Sequence, residues 1–277
     1  MDMIYDKRAV LSAYTSNLLS QGRVVFDGRE AIEALGINRG AFLDSAERLQ
    51  RRKLLLNPRH DFYIVVPPQF MSLGAPPPTW YIDALMRHEG NSYYVGLLKA
   101  AELHGATHQA VMEFQVVAAK RLPKIEAGRN RFVFYYRKDM ETVAAGVVDK
   151  KTETGSMRVS SPALTALDIL RYSRGAGGLD NIFTVLRDIA PQIDFESLTN
   201  LSRVTERPVV QRLGYLLDRL GHGPRLASMR TALEDRGNLP WTELDRKEAG
   251  DPDFSTEVLE RDPRWRVIVR RYPEADE

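Results

Sequence analysis

The residues best suited to chemistry in this sequence are a cluster of cations between Asn38 and Lys53. Five basic side chains stand there against two acidic ones: Arg39, Arg48, Arg51, Arg52 and Lys53 against Asp44 and Glu47. Guanidinium and ammonium groups bind phosphate oxygens, and an arginine can also bond the O6 and N7 atoms of a guanine in the major groove. The cluster therefore indicates binding to duplex DNA.

Position along the segment separates the roles of these residues. Arg39 falls in the first turn of a helix that Asn38 can cap, the part of a recognition helix that enters the groove, so Arg39 is expected to contact a base. A solvated arginine on an exposed face is the alternative. Asn38 could also reach DNA, although capping is favoured. Phosphate contacts are expected from Arg48, Arg51, Arg52 and Lys53, while Asp44 and Glu47 are expected to face solvent or to pair with Arg48 or Arg51.

The elements that must position this cluster follow the order of a winged helix-turn-helix. Periodicity predicts a helix over 7–20, a strand over 23–26, a helix from Asp27 to Gly36, and the recognition helix after Asn38, which buries Phe42, Ala46 and Leu49. A hairpin is predicted next, with strands over 54–56 and 62–66. Its turn carries Arg59 and His60, which would reach a phosphate or the minor groove, or would form an ordinary polar turn.

Length and proline content indicate two domains. A chain of 277 residues can bury two cores. The segments Pro67-Pro68 and Pro76-Pro77-Pro78 resist both helix and sheet and are typical of stiff connectors. We expect a winged helix-turn-helix domain over 1–70, a proline-rich linker over 71–79, and a mixed α/β domain over 80–277. The predicted fold class is α+β.

The second domain is predicted to mix helices and strands. Helices are expected over 79–86, 93–104 (capped by Ser92), 161–171, 178–190, 195–202 and 207–220, and strands over 111–119, 131–137, 142–148, 157–160 and 265–269. Ser161-Pro162 is the strongest helix start, since a capping hydroxyl precedes a proline at the first helical position. Asp168 and Arg171, three apart on that helix, are expected to form a structural pair or to contact a partner.

A second basic stretch lies between two predicted strands of this domain. From 118 to 138, seven basic residues stand against Glu126 alone. Its members could form a second surface for DNA or RNA, or a solvated loop; they include Lys120, Arg121, Lys124, Arg129 and Arg131. The net charge of the whole chain is only +2, so the argument for nucleic acid depends on how the charge is distributed.

Other chemistries find little support in the sequence. The chain has no cysteine, which excludes disulfides, thiol catalysis and cysteine-ligated zinc. His104 and His108 stand four apart, but Gly105 and the lack of an acidic residue between them disfavour a helical zinc motif. Asp149-Lys150-Lys151 could serve a metal-dependent nuclease, and an exposed turn is the simpler interpretation. We predict no catalytic site, no metal and no cofactor.

Four segments of the second domain resemble the C-terminal domain of the AbiEi family, the antitoxins of AbiE-type (type IV) toxin–antitoxin systems. They are YYVGLLKAAELHGATHQ over 93–109, SSPALTALDILRY over 160–172, AGGLDN over 176–181 and QRLGYLLD over 211–218. Their order and spacing are similar to that family. Because the family carries its DNA-binding module at the N-terminus, the resemblance covers most of the chain.

The resemblance implies a repressor that binds inverted repeats in the promoter of its own operon. It also implies an antitoxin that opposes a neighbouring nucleotidyltransferase-like toxin, with or without a stable complex, and that the second basic stretch could meet the toxin or its tRNA substrate. The residues alone leave open a solitary winged-helix regulator, a winged helix that binds protein, and a metal-dependent nuclease. The N-terminus lacks a signal-peptide pattern and no apolar run could span a bilayer, so a cytoplasmic protein without a membrane partner is expected.

Overall fold

The computed structural model describes residues 10–107, 111–245 and 257–274. The helices are α1 (Val10–Ser20), α2 (Gly28–Leu35), α3 (Arg39–Arg51), α4 (Ile82–His88), α5 (Leu97–Leu103), α6 (Pro162–Arg171), α7 (Leu179–Ile189), α8 (Phe195–Val204), α9 (Arg207–Leu217) and α10 (Ala227–Glu234). The strands are β1 (Val25–Asp27), β2 (Leu55–Arg59), β3 (Phe62–Val65), β4 (Tyr93–Val95), β5 (Glu113–Ala118), β6 (Ile125–Ala127), β7 (Asn130–Tyr136), β8 (Val147–Thr152), β9 (Gly155–Ser160), β10 (Thr242–Glu243), β11 (Glu260–Asp262) and β12 (Val267–Val269).

The N-terminal part has the architecture of a winged helix-turn-helix. Its strands form an antiparallel sheet in the order β1-β3-β2, and α1, α2 and α3 pack on that sheet. Phe26 and Tyr63 stack at 5.3 Å, and Phe42 of α3 meets Tyr63 edge-on at 5.2 Å. The predicted order of helices and hairpin is confirmed. The predicted first helix includes 7–9, which lie outside the described residues.

Local signals set the turn between α2 and α3. The Asp27 carboxylate accepts a hydrogen bond from the backbone N–H of Glu30 at 2.8 Å and begins α2. Gly36 ends α2 with a φ of 60°, a left-handed conformation that favours glycine. The Asn38 side chain accepts from the N–H of Ala41 at 2.9 Å and begins α3. The capping roles predicted for Asp27, Gly36 and Asn38 are confirmed.

A mixed six-stranded sheet forms the centre of the second domain. Its strand order is β6-β7-β5-β4-β9-β8, in which the β5–β7 and β4–β9 pairs are parallel. Because side chains alternate along a strand, the sheet supplies two cores. Tyr93, Val95 and Val116 join the core around α4 and the wing strands. Tyr94 and Val117 join the larger core built by the helices that follow the sheet.

The last helices close against a small three-stranded sheet of order β10-β12-β11. Trp265, which precedes β12, is 1% exposed and packs against Gly214 of α9. A Cβ at Gly214 would overlap the indole ring, so the close approach requires glycine. The indole N–H of Trp265 donates to the Asp218 carboxylate at 3.2 Å, where α9 passes into a π turn over Asp218–His222.

Three predicted elements of the second domain were wrong in part. The segment predicted as one helix over 93–104 divides into β4 and α5, because Tyr93–Val95 pairs with strands on both sides. Tertiary pairing of these β-favouring residues overrides the helical spacing of Val95, Leu98 and Ala101. The strand predicted over 142–148 is a 3₁₀ turn, Glu141–Gly146, that leads into β8. The helix predicted from Thr79 begins at Ile82, after a 3₁₀ turn over Pro78–Trp80.

Within the described parts of the chain, no helix is both long enough and apolar enough to cross a membrane.

Candidate nucleic-acid interface

The predicted cations of the first domain lie at the start of α3, on its outer face and just beyond its end. The neutral Asn38 is exposed, and so is every cation of the set: Arg39, Arg48, Arg51, Arg52 and Lys53. The opposite face of α3 buries Phe42, Ala46 and Leu49. The outer face also presents Leu43, which is 45% exposed and one helical turn beyond Arg39. An exposed apolar side chain of this kind is suited to the methyl group of a thymine. The sequence prediction assigned no role to Leu43.

The cations of α3 differ in the side chains that they contact. Arg51 donates to the Glu47 carboxylate at 2.7 Å, which confirms the predicted pairing of Glu47. Arg48 donates to the Ser45 hydroxyl at 2.8 Å. No ion pair joins Arg39, Arg52 or Lys53 to a carboxylate in the described part of the chain. These three charges are therefore the ones most available to a polyanion.

The turn between the wing strands β2 and β3 contacts the second domain. Arg59 donates through Nε to Glu89 Oε1 at 2.6 Å and through Nη2 to the carbonyl oxygen of Pro123 at 2.9 Å. The two charged side chains are only 20% and 19% exposed. His60 is exposed, and its carbonyl oxygen lies 3.0 Å from Nε2 of His88. The structure thus places Arg59 in a contact between domains and leaves His60 at the surface.

The predicted linker packs against the β6–β7 turn. The backbone N–H of Arg129 donates to the carbonyl of Leu73 at 3.2 Å, and the Asn130 amide donates to the carbonyl of Pro76 at 2.9 Å. The wing strands add Val24, Phe62 and Ile64 to the core around α4, so apolar burial also joins the two domains. The winged helix is consequently held in one orientation on the second domain.

Gly74 of the linker and Gly128 of the β6–β7 turn approach each other closely in this contact. Gly128 has a φ of 59°, and a Cβ there would lie 2.6 Å from the carbonyl carbon of Gly74. We expect Gly128→Ala to lower the free energy of unfolding by about 2–4 kcal/mol, because it adds a backbone clash to the left-handed penalty. Urea unfolding measures the change.

Gly90 supplies the matched control for that substitution. Its φ is 57°, and nothing lies within 4 Å of its ideal Cβ. Gly90→Ala therefore carries the backbone penalty alone, about 1–2 kcal/mol. Equal losses for the two variants would contradict the proposed role of the Gly74–Gly128 contact.

The structure separates the second basic stretch into two groups. Lys120 and Arg121 follow the end of β5, where the Arg121 guanidinium lies 4.8 Å from the ring centroid of Tyr136. Arg129 and Arg131 lie at the start of β7, a full strand away, and Arg131 stands 3.8 Å from both Glu113 and Glu126. Lys124 is exposed on the loop before β6, next to the carbonyl of Pro123 that binds Arg59. All five cations are exposed, but only the β5–β6 loop adjoins the wing.

A buried polar network ties the sheet to α6. Asp168, with no exposed surface, accepts hydrogen bonds from Tyr94 of β4 at 2.7 Å and from Arg137, just after β7, at 2.5 Å. Burial raises the pKa of Asp168, while Arg137 and Tyr94 oppose that shift. Burial also raises the pKa of the Tyr94 hydroxyl, which keeps it a donor. The predicted Asp168–Arg171 pair was wrong: Arg171 pairs instead with Glu206 at 2.7 Å, because Asp168 points into the core.

The Tyr94–Arg137–Asp168 network lies inside the segment that comparison with known families recognises. Residues 94–219 match the family model for the AbiEi antitoxin C-terminal domain. The matched segment makes up the greater part of the second domain, which we call the AbiEi domain for this similarity. Tyr94 is the first residue of the match and Gly214 lies near its end, whereas Trp265, which packs against Gly214, lies beyond it.

One solved structure is similar in fold to nearly the whole chain. The crystal structure of the RV2827C protein from Mycobacterium tuberculosis aligns with a TM-score of 0.65 at 19% identity, covering 97% of this chain and 93% of that chain. At this identity the likeness concerns the fold, and it spans both the winged helix and the AbiEi domain. No curated protein sequence matches the chain.

The residues considered above for metal binding or nuclease chemistry have structural contacts or lie exposed on a strand of the AbiEi domain. Nε2 of His104 lies 2.7 Å from the carbonyl oxygen of Ser160, and His108 lies outside the described residues. Asp149 is exposed on β8, opposite Arg158 in the hairpin with β9. In the described ranges, no three metal-ligating side chains converge on one point.

Proposed function

We propose that this protein represses its own operon by binding DNA and acts as the antitoxin of an AbiE-type, type IV pair. One combination of features carries the proposal: a segment that matches the AbiEi antitoxin domain is joined to α3, and Arg39 at the start of α3 and Arg52 just past its end form no ion pair within the described residues. The family match itself covers residues 94–219. Autorepression, the nucleotidyltransferase-like toxin and action in the cytoplasm belong to the proposal.

The proposed DNA interface is centred on α3. Arg39 and Leu43, in the first turns, would meet base edges in the major groove. Arg48, Arg52 and Lys53, with a smaller share from Arg51, would meet phosphates and release counterions. Arg59 is left out because it binds Glu89. Lys120 and Lys124, on the loop that touches the wing, would extend the phosphate contacts, and two copies would cover an inverted repeat.

The fixed contact between domains supports a link between the two proposed activities. Because Arg59, the linker and the wing core hold the winged helix on the AbiEi domain, a copy bound to the operator carries its antitoxin domain in one orientation. The toxin-opposing activity would reside in that domain. It requires no stable complex with the toxin.

Two assays test the two halves of the proposal. Binding of the full chain to its own upstream DNA is measured against scrambled duplex at about 50 and 200 mM salt. We expect specific binding that weakens steeply at the higher salt. Co-expression with the neighbouring gene then tests the antitoxin half, and we expect rescue of growth. Failure to bind any duplex at low salt would reject the repressor, and toxicity that persists would reject the antitoxin.

Arg39→Ala is expected to weaken operator binding by about 5- to 150-fold and to relax the preference at one base position, since a bidentate arginine–guanine contact discriminates by about 1–3 kcal/mol. A library of single-base operator variants measures the preference. Arg29→Ala is the matched control, because Arg29 is 91% exposed on α2, outside the recognition helix. The control is expected to leave the preference unchanged. An unaltered preference in Arg39→Ala would remove the base contact from the proposal.

A further inference from the structure

An exposed tryptophan flanked by two arginines lies outside both the winged helix and the family match. Trp241, just before β10, is 37% exposed. The guanidinium of Arg266 lies 5.4 Å from its ring centroid, and that of Arg261 lies 5.9 Å away. We call these three residues the Trp241 platform.

Strand register places the Trp241 platform on the outer face of the small sheet. Thr242 pairs with Val267 in parallel, so Trp241 stands beside Arg266. Arg261 pairs with Ile268 of β12, two residues beyond Arg266. The opposite face carries Val267 and Val269, both fully buried in the helical core. The platform is thus built by Arg261 of β11 and by the residues that directly precede β10 and β12, on the side of the sheet opposite the buried Val267 and Val269.

Trp241 and Arg266 lie at the end of the sheet where β10 and β12 begin. Arg266 has a φ of 53°, a left-handed conformation that is uncommon for a residue with a side chain. The adjoining Trp265 is anchored against Gly214 and donates its backbone N–H to Asp262 at 2.6 Å. Leu244 and Leu259, which flank the undescribed segment 246–256, bond to Ile268 and Val269 at the other end of β12.

Both arginines of the platform lie over the Trp241 ring, and neither is neutralised by an acidic side chain in the described structure. No carboxylate there forms an ion pair with Arg261 or Arg266. The nearby acids are committed elsewhere: Glu243 pairs with Arg270 at 2.9 Å, Glu260 accepts from Tyr215 at 3.2 Å, and Asp262 caps the turn at Trp265. Two cations therefore stand beside an exposed aromatic ring without an anion.

We infer that the Trp241 platform binds single-stranded nucleic acid. An aromatic ring on an exposed sheet face stacks unpaired bases, and adjacent arginines bind the phosphates or stack in turn. A base pair within a duplex offers no free face to the indole, so the duplex bound by α3 would not occupy this site. The site is distinct from the proposed operator interface in residues, domain and ligand.

Binding to a labelled oligouridylate of about 12 nucleotides, to DNA of the same length and to a duplex tests the inference. The full chain is used, and indole quenching is followed because stacking quenches tryptophan. Trp241→Phe/Arg261→Gln/Arg266→Gln is expected to bind single strands at least about tenfold more weakly, with the quenching lost and the salt slope reduced by about 1.4. Operator binding is expected to stay unchanged.

Arg174→Gln/Arg203→Gln removes two exposed cations elsewhere on the same domain and is the matched control. It is expected to retain quenching and affinity. Three results would overturn the inference: no single-strand binding by the wild type, equal affinity of the platform variant, or equal loss in the control. Parallel loss of duplex and single-strand binding in the platform variant would also overturn it, since the surface would then serve duplex DNA.

Discussion

Asp168→Ala is expected to lower the free energy of unfolding by about 3–5 kcal/mol, the largest effect on stability that the structure predicts. The substitution leaves the Arg137 guanidinium, which is 3% exposed, without its carboxylate in the core. It also removes the acceptor of the Tyr94 hydroxyl. Urea unfolding of the full chain, followed by circular dichroism, measures the loss.

Two further variants separate a buried charge effect from a general packing effect. Arg137→Met/Asp168→Leu removes both charges and is expected to recover much of the stability, because no unpaired charge remains buried. Arg171→Ala breaks the more exposed Arg171–Glu206 pair and is expected to cost no more than about 1 kcal/mol. A double variant as unstable as Asp168→Ala would contradict the electrostatic explanation.

The consequence for function follows from where the network lies. Tyr94, Arg137 and Asp168 join β4, the end of β7 and α6, and these elements carry the two cores of the AbiEi domain. Loss of the network is therefore expected to reduce antitoxin activity in the co-expression assay by unfolding the domain. Rescue of growth by Asp168→Ala at the wild-type level, despite a measured loss of stability, would show that the assay tolerates a weakened domain.

Arg48→Gln/Arg52→Gln/Lys53→Gln is expected to weaken binding to every duplex, specific or scrambled, by about a hundredfold or more at 200 mM salt. Each phosphate contact contributes about 0.9 to the slope of log affinity against log salt, so the slope should fall by about 2.7. These three residues are chosen because Arg51 already pairs with Glu47. Arg51→Gln alone is expected to change affinity by less than any of them.

The control for the triple variant removes equal charge from other surfaces. Lys151→Gln/Arg174→Gln/Arg203→Gln changes three exposed cations of the AbiEi domain and should leave operator affinity within about twofold, because these charges lie outside the proposed contact. If both triple variants lose affinity equally, net charge and not α3 governs binding. A loss confined to the specific site would assign the α3 cations to base contacts.

Much of the first domain could be predicted because its signals are local. Asp27, Gly36 and Asn38 determine helix ends through contacts within three residues of themselves, and the spacing of Phe42, Ala46 and Leu49 determines which face of α3 is buried. That spacing does not by itself expose Arg39, Arg52 and Lys53: Arg39 is the first residue of α3, and Arg52 and Lys53 follow its last residue, where Lys53 has a φ of 58°. The AbiEi resemblance was also carried by sequence segments, and the family match confirms it.

Non-local contacts decided the rest. Tyr93–Val95 became a strand because β5 and β9 stand on either side of it. Arg59, which a local pattern places at a wing tip, binds Glu89, thirty residues away in the chain. The basic stretch from Lys120 to Arg131 was split between two ends of the sheet by the length of the strands.

By itself, the sequence determined the winged helix-turn-helix, the cationic face of α3 and the family of the second domain. The tertiary structure decided that the two domains are held together, that Asp168 pairs with Arg137, and that Trp241 meets Arg261 and Arg266 across three strands. The physical reason is the separation along the chain between the residues that make contact. Caps and helical faces depend on neighbours within one or two turns, whereas these pairings join residues tens of positions apart that only the packed chain brings together.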